Sequence, residues 1–427
     1  MDNILYYIKR LIPSGIFRLV QPLYHYVLAF VGAVYYRFPS KEITVIGVTG
    51  TKGKSTVVEL INAIFEADGR RTAVAGTIRF KIGEKSERNM FKMTMPGRFF
   101  MQKFLRDAVN AGCDIAVVEM TSQGVLQFRH KFIHLDALVF TNLSPEHIES
   151  HGSYEKYITA KLELARALEE SQKRPRYMIA NKDDEQGVRF LERNVEHPLP
   201  YGLSDLELYT LNKEDISLVI QGSTLRVPLI GLFNVYNTLS AITCTRALGV
   251  PMKTIHTALT NLSPIKGRVE RFRSPKSAER KVTAIVDYAH TPDSLEKLYL
   301  AFEKEKKVCV LGNTGGGRDT WKRPEMGRIA DKYCDRIILT NEDPYDEDPR
   351  EIIDDMVRGI EHESKLTIIM DRRKAIRTAL EEAPDGSVVI ISGKGTDPYI
   401  MGPHNTKTPW SDAKVVQQEM NALFGEG

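Results

Sequence analysis

The sequence predicts an α/β protein, and three observations carry that reading. Short β-branched apolar runs alternate with stretches of helical spacing, a glycine-rich turn joins the first run to the first such stretch, and a second series begins after residue 267. Alternation of this kind implies parallel sheets covered by helices. Residues 43–48 (ITVIGV) make a run typical of a strand buried on both faces. Residues 55–67 follow, with Val58, Leu60, Ile61, Ile64 and Phe65 at helical spacing. Further strands are expected at 115–119, 137–140 and 178–180. Turn chemistry at 261–267 (NLSPIKG) marks a boundary, and strands at 282–286, 307–311, 336–339, 366–370 and 388–391 lie beyond it. The expected organisation is an apolar N-terminal helical segment over 1–42, a P-loop central domain with a mostly parallel sheet over 43–265, and a C-terminal Rossmann-like α/β domain over 266–427.

A chain of 427 residues suggests two or three domains. Its net charge of +4 is nearly balanced, so composition gives no sign of nucleic-acid binding. Cys113, Cys244, Cys309 and Cys334 are widely spaced, without a C-x-x-C pair. That spacing supports neither a zinc site nor a disulfide framework, and four buried thiols in a reducing cytosol are expected. The compositional oddity is 19–38, LVQPLYHYVLAFVGAVYYRF, flanked by Lys9, Arg10, Arg18, Arg37 and Lys41. Gln21, Pro22 and His25 interrupt it. A packed helix of the fold, an interfacial membrane helix over 1–38 and a transmembrane span are the three readings open. The expected location is cytoplasmic, with membrane association following from the second reading.

The sharpest motif is Gly47-Val-Thr-Gly50-Thr51-Lys52-Gly53-Lys54-Ser55-Thr56, set between a strand and a helix. Backbone N–H groups of such a loop and the helix N-terminus cradle phosphate oxygens. Lys54 reaches toward the β- and γ-phosphates of ATP, and the Ser55 hydroxyl ligates Mg2+. The strict pattern has glycine where Val48 stands, but strand, turn, helix and Gly-Lys-Ser together outweigh a chance turn. Glu119 ends one apolar strand and His147 follows another, at the strand ends where ligands and metals bind. Either alone reads as a structural polar residue; beside a phosphate loop, both read as completing magnesium coordination.

The loop resembles T-G-T-N-G-K-[ST]-T of the Mur ligases and folylpolyglutamate synthases, with Lys52 in place of asparagine. Glu119-Met-Thr-Ser-Gln-Gly-Val-Leu-Gln127-Phe-Arg129 resembles the Mur ligase element E-V-S-S-H-G-L-x-Q-x-R, and Thr141-Asn142-Leu-Ser-Pro-Glu-His147-Ile-Glu-Ser-His151-Gly152 resembles T-N-L-x-x-D-H-L-D-x-H-G. The likeness is greatest to the tripeptide synthetases of that family. It implies that Glu119 and His147 ligate magnesium, that Asn142 lies near the nucleotide, and that Lys161 is the carbamylated lysine serving as a further metal ligand. Thr94-Met-Pro resembles T-T-P; with Thr121, Gln127 and Arg129 it would hold the phosphate-bearing precursor. Glu146, Gln123 and Thr121 replace the family's aspartate, histidine and serine.

The second half carries the same likeness. Gly231-Leu-Phe-Asn234-Val-Tyr-Asn237 resembles G-x-F-N-x-x-N, Gly267-Arg268-Val-Glu270 resembles G-R-x-E, and Asp287-Tyr-Ala-His290-Thr-Pro292 resembles D-Y-A-H-T-P. These imply nucleotide contacts by Asn234, Asn237, Arg268, Asp287 and His290. Gly315-Gly-Gly-Arg318-Asp319 resembles G-G-D-R-D, implying that Arg318 meets an anionic group of an incoming amino acid. Gly393-Lys394-Gly395-Thr396-Asp397 stands where these ligases have G-K-G-H-E, so Gly393 and Asp397 are substrate-site candidates. Glu342-Asp343-Pro344-Tyr345 aligns with the D-N-P-R element that recognises diaminopimelate. Tyrosine cannot make arginine's bidentate pair, so diaminopimelate is disfavoured, and the acidic pair Glu342/Asp343 points to a basic amino acid such as lysine. The phosphate loop begins at residue 47, so the N-terminal domain of about a hundred residues that grips UDP in these ligases is expected to be missing.

The implied activity is ATP-dependent addition of an amino acid to a muramoyl-peptide precursor through an acyl-phosphate, in peptidoglycan synthesis. The alternatives are a ligase of the same kind acting on another carboxylate, either a lipid-linked muropeptide or a folate, and a non-catalytic nucleotide-binding partner protein. Expected partners are the small-molecule substrates ATP, amino acid and muramoyl-peptide precursor, not nucleic acid, with membrane-surface contact through residues 1–38 on the interfacial reading.

Overall fold

A computed structural model describes residues 14–146, 148–317 and 319–425. The chain forms two compact units, residues 14–143, Glu155–Tyr201 and Ser240–Pro251 making the first and Ser144–Tyr154, Gly202–Leu239 and residues 252–425 the second. The expected boundary at 265/266 follows chain order, whereas packing groups residues 202–239 with the later part.

The first unit opens with helix α1 (Ser14–Tyr35), followed by strand β1 (Thr44–Thr49) and helix α2 (Lys54–Ala67). Then come β2 (Thr72–Ala75), β3 (Arg79–Ile82), β4 (Lys85–Arg88), α3 (Arg98–Asn110), β5 (Ile115–Glu119), the short α4 (Ser122–Leu126), β6 (Ala137–Phe140), α5 (Tyr154–Glu169), β7 (Tyr177–Asn181) and β8 (His197–Tyr201). The eight strands form one sheet in the order β4-β3-β2-β5-β1-β6-β7-β8, parallel from β2 to β8 with an antiparallel edge at β3 and β4. Central position explains the unbroken β-branched run of β1: Val45, Ile46 and Val48 are fully covered. Val57, Leu60, Ile61, Ile64 and Phe65 bury the inner face of α2.

Helix α1 packs on α3. Ala29, Gly32 and Ala33 face inward, and a Cβ on Gly32 would lie 3.6 Å from Phe99, so the small side chains let the two backbones approach. The packed-helix reading of 19–38 is therefore met on one side only. Leu23, Tyr24, Val27, Phe30, Val31, Val34 and Tyr35 remain exposed. Among the described residues no helix is long and apolar enough to cross a membrane.

The second unit contains an antiparallel sheet of β9 (Leu208–Leu211), β10 (Ile216–Ile220) and β11 (Ser223–Val227). Helix α6 (Leu232–Ala247), whose residues from Ser240 onward belong to the first unit, and α7 (Met252–Thr260) follow, then β12 (Glu270–Arg273), β13 (Thr283–Val286), α8 (Pro292–Leu300), β14 (Lys307–Leu311), α9 (Lys322–Tyr333), β15 (Arg336–Leu339), α10 (Pro349–Val357), β16 (Leu366–Ile368), α11 (Arg372–Glu382), β17 (Val388–Ile391), a β18–β19 hairpin (Tyr399–Met401 and Lys407–Pro409) and α12 (Asp412–Phe424). Its main sheet runs β12-β13-β17-β14-β15-β16, parallel except for the edge strand β12. Two apolar layers, one around Tyr299, Met326 and Ile337 and the other around Val310, Ile376 and Val416, cover its faces. This is the Rossmann-like arrangement expected.

The cysteine expectation needs correction. Cys309 on β14 and Cys334 just after α9 are joined as a disulfide. The β14-α9-β15 crossover returns the chain beside the strand it left, bringing together two residues 25 apart in sequence. Spacing along the chain does not show that return. Cys113 and Cys244 are the buried free thiols, the latter pushed up to about 12 by burial.

Candidate active site

Strand β1 ends at Thr49 and the loop turns directly into α2. Gly50 has φ +139°, and a Cβ there would stand 2.0 Å from Thr141 Oγ1, so only glycine lets the loop lie against the end of β6. Gly50→Ala is expected to abolish ATP binding and to cost roughly 1–3 kcal/mol of stability, measured by nucleotide titration and thermal melting. Gly53 takes the left-handed conformation as the N-cap of α2 and offers no side-chain cap, leaving the helix N-terminus open to an anion.

Asn142 fixes the loop from the side. Its amide accepts from Lys52 N at 3.0 Å and donates to Lys52 O at 3.1 Å, while its carbonyl accepts from Thr51 N at 2.7 Å. Asn142 thus shapes the cradle as well as lying beside it. Lys54 Nζ donates to Gly50 O at 3.1 Å and Thr51 O at 2.8 Å, folded back over the loop it serves.

Glu119, at the end of β5, is 2 % exposed. Its carboxylate accepts from Ser55 Oγ at 3.1 and 3.2 Å and from Thr77 N at 2.8 Å. Parallel pairing of β1 with β5 sets Val48 opposite Glu119 and so places the carboxylate beside the loop. A hydroxyl and a carboxylate converging at a phosphate cradle suit a hard cation that also binds substrate phosphates, as magnesium does. Among the described residues no three acidic, histidine or cysteine side chains cluster as a metal cage. Lys161 on α5 is equally buried, its Nζ donating to Gly50 O at 2.6 Å and lying 5.4 Å from the Tyr157 ring centre. The Tyr157 hydroxyl is 3.0 Å from Thr51 Oγ1. Lys54, Ser55, Glu119, Asn142 and Lys161 are therefore brought together on one loop; His147 lies outside the described residues.

The precursor-site candidates form a neighbouring group. Thr94 Oγ1 is 2.8 Å from Thr77 Oγ1, tying it to the loop that holds Glu119. Thr121 caps α4, accepting from Gly124 N at 3.1 Å. Arg129 bonds Met95 O and, at 2.6 Å, Gln127 Oε1. Next to it His130 is 3 % exposed, neither ring nitrogen has a partner, and burial lowers its pKa to about 3. A ring that titrates near 6.5 when unfolded then takes up its proton only in the unfolded chain as pH falls. Stability present above pH 6.5 is lost as pH falls toward 3, on the order of 1–2 kcal/mol of it between pH 6.5 and 5. His130→Phe is expected to flatten that slope in denaturant titrations across this range.

In the second unit, Asp287 Oδ2 accepts from Val269 N at 2.8 Å and Oδ1 from Ala289 N at 2.7 Å. Burial raises its pKa despite nearby Arg268. Arg268 lies over the Tyr288 ring at 4.7 Å, and His290 Nε2 is 3.2 Å from the buried Glu146 carboxylate. Asn234 and Asn237 turn inward at the start of α6: Asn234 donates to Ile230 O and Asn237 to Asn234 Oδ1, each at 2.9 Å. These bonds serve the helix start. Arg318 lies outside the described residues.

The acidic pair is withdrawn from solvent. Glu342 and Asp343 are each 3 % exposed. Asp343 Oδ1 accepts from Lys394 Nζ and from Met401 N, both at 2.8 Å, so it closes a buried ion pair instead of facing a substrate cation. Glu342 Oε1 accepts from Thr314 at 3.0 Å, and its Oε2 has no partner. Gly393 must be glycine, since a Cβ there would stand 2.1 Å from Glu342 Oε2. Asp397 Oδ2 lies 3.6 Å from Lys394 Nζ, and Tyr345 takes φ +53° with its N–H on Met401 O. Sequence reasoning missed Thr77, Arg372 and the structural use of Lys394. Lys394 alone carried a signal, as a lysine between two glycines in a named motif.

Comparison with known proteins agrees with this geometry. The Mur ligase middle domain matches residues 48–245 and the Mur ligase, glutamate ligase domain matches residues 267–395. The chain is 34 % identical over 385 residues to the UDP-N-acetylmuramoyl-L-alanyl-D-glutamate--2,6-diaminopimelate ligase of Listeria monocytogenes serotype 4b, covering 87 % of this chain and 77 % of that one. To the ligase of the same name from Synechococcus elongatus it is 37 % identical over 400 residues, covering 90 % and 77 %. A solved structure of a ligase so named matches with TM-score 0.60 at 28 % identity, covering 89 % of this chain and 78 % of that one. Mycobacterium tuberculosis folylpolyglutamate synthase complexed with ADP shares the fold, with TM-score 0.66 at 16 % identity over 86 % and 92 % of the two chains. The chain belongs to the Mur ligase family of ATP-dependent, amide-bond-forming ligases.

Proposed function

We propose that this chain couples an amino acid to the carboxylate of a muramoyl-peptide precursor, using ATP to make an acyl-phosphate first. The observation that carries this reading is the convergence of Ser55, Glu119, Lys54 and Lys161 on the loop Gly50–Gly53. Such chemistry is mostly positioning and charge stabilisation. The loop amides and Gly50 to Thr56 hold the nucleotide phosphates, and Lys54 neutralises charge on the transferring group. Ser55 and Glu119, with His147 and a carbamylated Lys161, would hold Mg2+, which when bound offsets negative charge on the triphosphate. Thr94, Thr121, Gln127 and Arg129 orient the precursor so that its carboxylate meets the γ-phosphate. Asn234, Asn237, Arg268, Asp287 and His290 complete nucleotide binding. On the sequence reading 43–265 binds ATP and 266–427 supplies the amino-acid site, although residues 202–239 pack with the later part.

Arg318, Glu342, Asp343, Tyr345, Gly393 and Asp397 are assigned to that site. Asp343 acts there by fixing Lys394, and Glu342 supplies the carboxylate oxygen left for a substrate cation. With Tyr345 in place of a guanidinium, a basic amino acid is preferred over diaminopimelate. Phosphate release with ATP, UDP-N-acetylmuramoyl-L-alanyl-D-glutamate and L-lysine, L-ornithine or meso-diaminopimelate tests both points. Release that requires L-lysine or L-ornithine is the expected result. Release driven best by diaminopimelate overturns the preference, and ATP binding with no release on any acceptor leaves a nucleotide-binding protein.

A further inference from the structure

The neighbourhood of α1 holds two features, of which the reaction above uses only Arg129, as a precursor contact. The first is a pair of arginines. Arg98, at the start of α3, donates through Nε to Gln127 O at 2.7 Å and through a terminal nitrogen to His25 Nδ1 on α1. Arg129 is nine-tenths buried and meets only Met95 O, Gln127 Oε1 and the Met93 sulfur; its Nε is unpartnered. Among the described residues neither guanidinium has a carboxylate in ion-pair range. Burial holds both below the ordinary arginine value, and Arg98 adds to the effect at Arg129. Two cations kept close together without a counter-ion are expected where a multiply charged anion arrives. The N-terminus of α3, whose Gly97 cap has no side chain to satisfy it, adds to the preference.

The second feature is the reversed amphipathicity of α1. Its small residues, Ala29, Gly32 and Ala33, are buried, and its bulky ones, Leu23, Tyr24, Val27, Phe30, Val31, Val34 and Tyr35, are exposed. His25, which meets Arg98, lies on the same helix. Exposed Arg37 and Lys41 follow the end of this face, and Tyr24 and Tyr35 stand near its two ends, as at a headgroup boundary. Exposed Met90, Phe91, Met93 and Phe99 extend the apolar surface beside α3.

We infer that Arg98 and Arg129 bind the phosphate or diphosphate of a lipid-borne acceptor while the exposed face of α1 lies in the bilayer that carries it. The inference rests on the ligase reading and names its acceptor class. Apolar insertion alone gives weak, reversible membrane binding, and a second, charged contact makes it selective.

Flotation of the full chain with phosphatidylcholine vesicles, plain or carrying a few mole per cent undecaprenyl diphosphate, tests it. Wild type is expected to bind the diphosphate vesicles about tenfold more tightly. Arg98→Ala should lose that gain and Arg98→Lys keep part of it, while Val27→Ser/Val31→Ser weakens binding to both vesicles. Melting curves confirm folding, and Arg98→Gln serves if the alanine variant is unstable. Equal binding to the two vesicles, or a gain that survives in folded Arg98→Ala and Arg98→Gln, overturns the inference. So does a stable dimer that Val27→Ser/Val31→Ser converts to monomer, because a second copy would then cover the face. Full displacement by free pyrophosphate or UDP at concentrations matching the lipid diphosphate places the specificity on phosphate alone and rejects the lipid. Turnover on a UDP-linked acceptor without vesicle preference sinks this inference and spares the ligase reading. Vesicle preference with no ATP-dependent turnover on any acceptor does the reverse.

Discussion

Replacing Lys54 by alanine is expected to lower ATP-dependent phosphate release about a thousand-fold while leaving the fold intact. The ammonium sits on the loop itself, with its donors on Gly50 O and Thr51 O, so it is already positioned before nucleotide arrives. Phosphoryl transfer spreads negative charge over oxygens that this group can reach. Lys161 also donates to Gly50 O, but from α5 and from full burial. Loss of an interaction made chiefly in the transition state lowers kcat and kcat/KM together, with little change in the ATP affinity of the ground state. A variant that instead raised only the KM for ATP would show Lys54 to be a binding residue. Lys54→Arg is expected to recover little, since a planar fork cannot occupy the place of a compact ammonium.

How much of this site was legible in the sequence depended on how local its interactions are. The loop from Gly47 to Thr56 is contiguous, and its chemistry is written in glycines, a lysine and hydroxyls. Glu119 was legible only because it ends an apolar run in a chain that also carries a phosphate loop; alone it reads as a structural polar residue. The hold of Asn142 on the loop was not legible, since its two bonds to Lys52 join residues 90 apart. The burial of Asp343 was not legible, because its partner Lys394 lies 51 residues later in the chain. Cys309 and Cys334 meet only through a strand–helix–strand return, and Arg98 meets His25 across 73 residues. Parallel topology was readable from the alternation of patterns. The antiparallel sheet β9–β11 was not, because half of its side chains are exposed and its runs carry no strong apolar signal.

Truncating Arg372 should produce the largest loss of stability, about 3–5 kcal/mol, or roughly ten degrees in the melting of the second unit. Arg372 opens α11 and Asp412 opens α12, and both are essentially buried. The guanidinium holds Asp412 through Nε at 2.8 Å and a terminal nitrogen at 2.7 Å, and the same terminal nitrogen donates to Ser392 O at 2.9 Å. Burial works against its charge, yet Asp412, then Glu342 and Asp343, hold it above its ordinary pKa. Arg372→Ala leaves the Asp412 carboxylate buried with only Trp410 Nε1 to answer its charge. Replacing both partners, as Arg372→Met/Asp412→Leu, removes that uncompensated charge and should recover most of the loss. If the double variant melts as low as the single one, the pair is not what couples the two helices. The same guanidinium steadies Ser392, next to Gly393, so wherever Arg372→Ala stays folded its KM for the amino acid should rise more than its KM for ATP. A uniform rise in both would mean that the pair supports the fold without shaping the substrate loop.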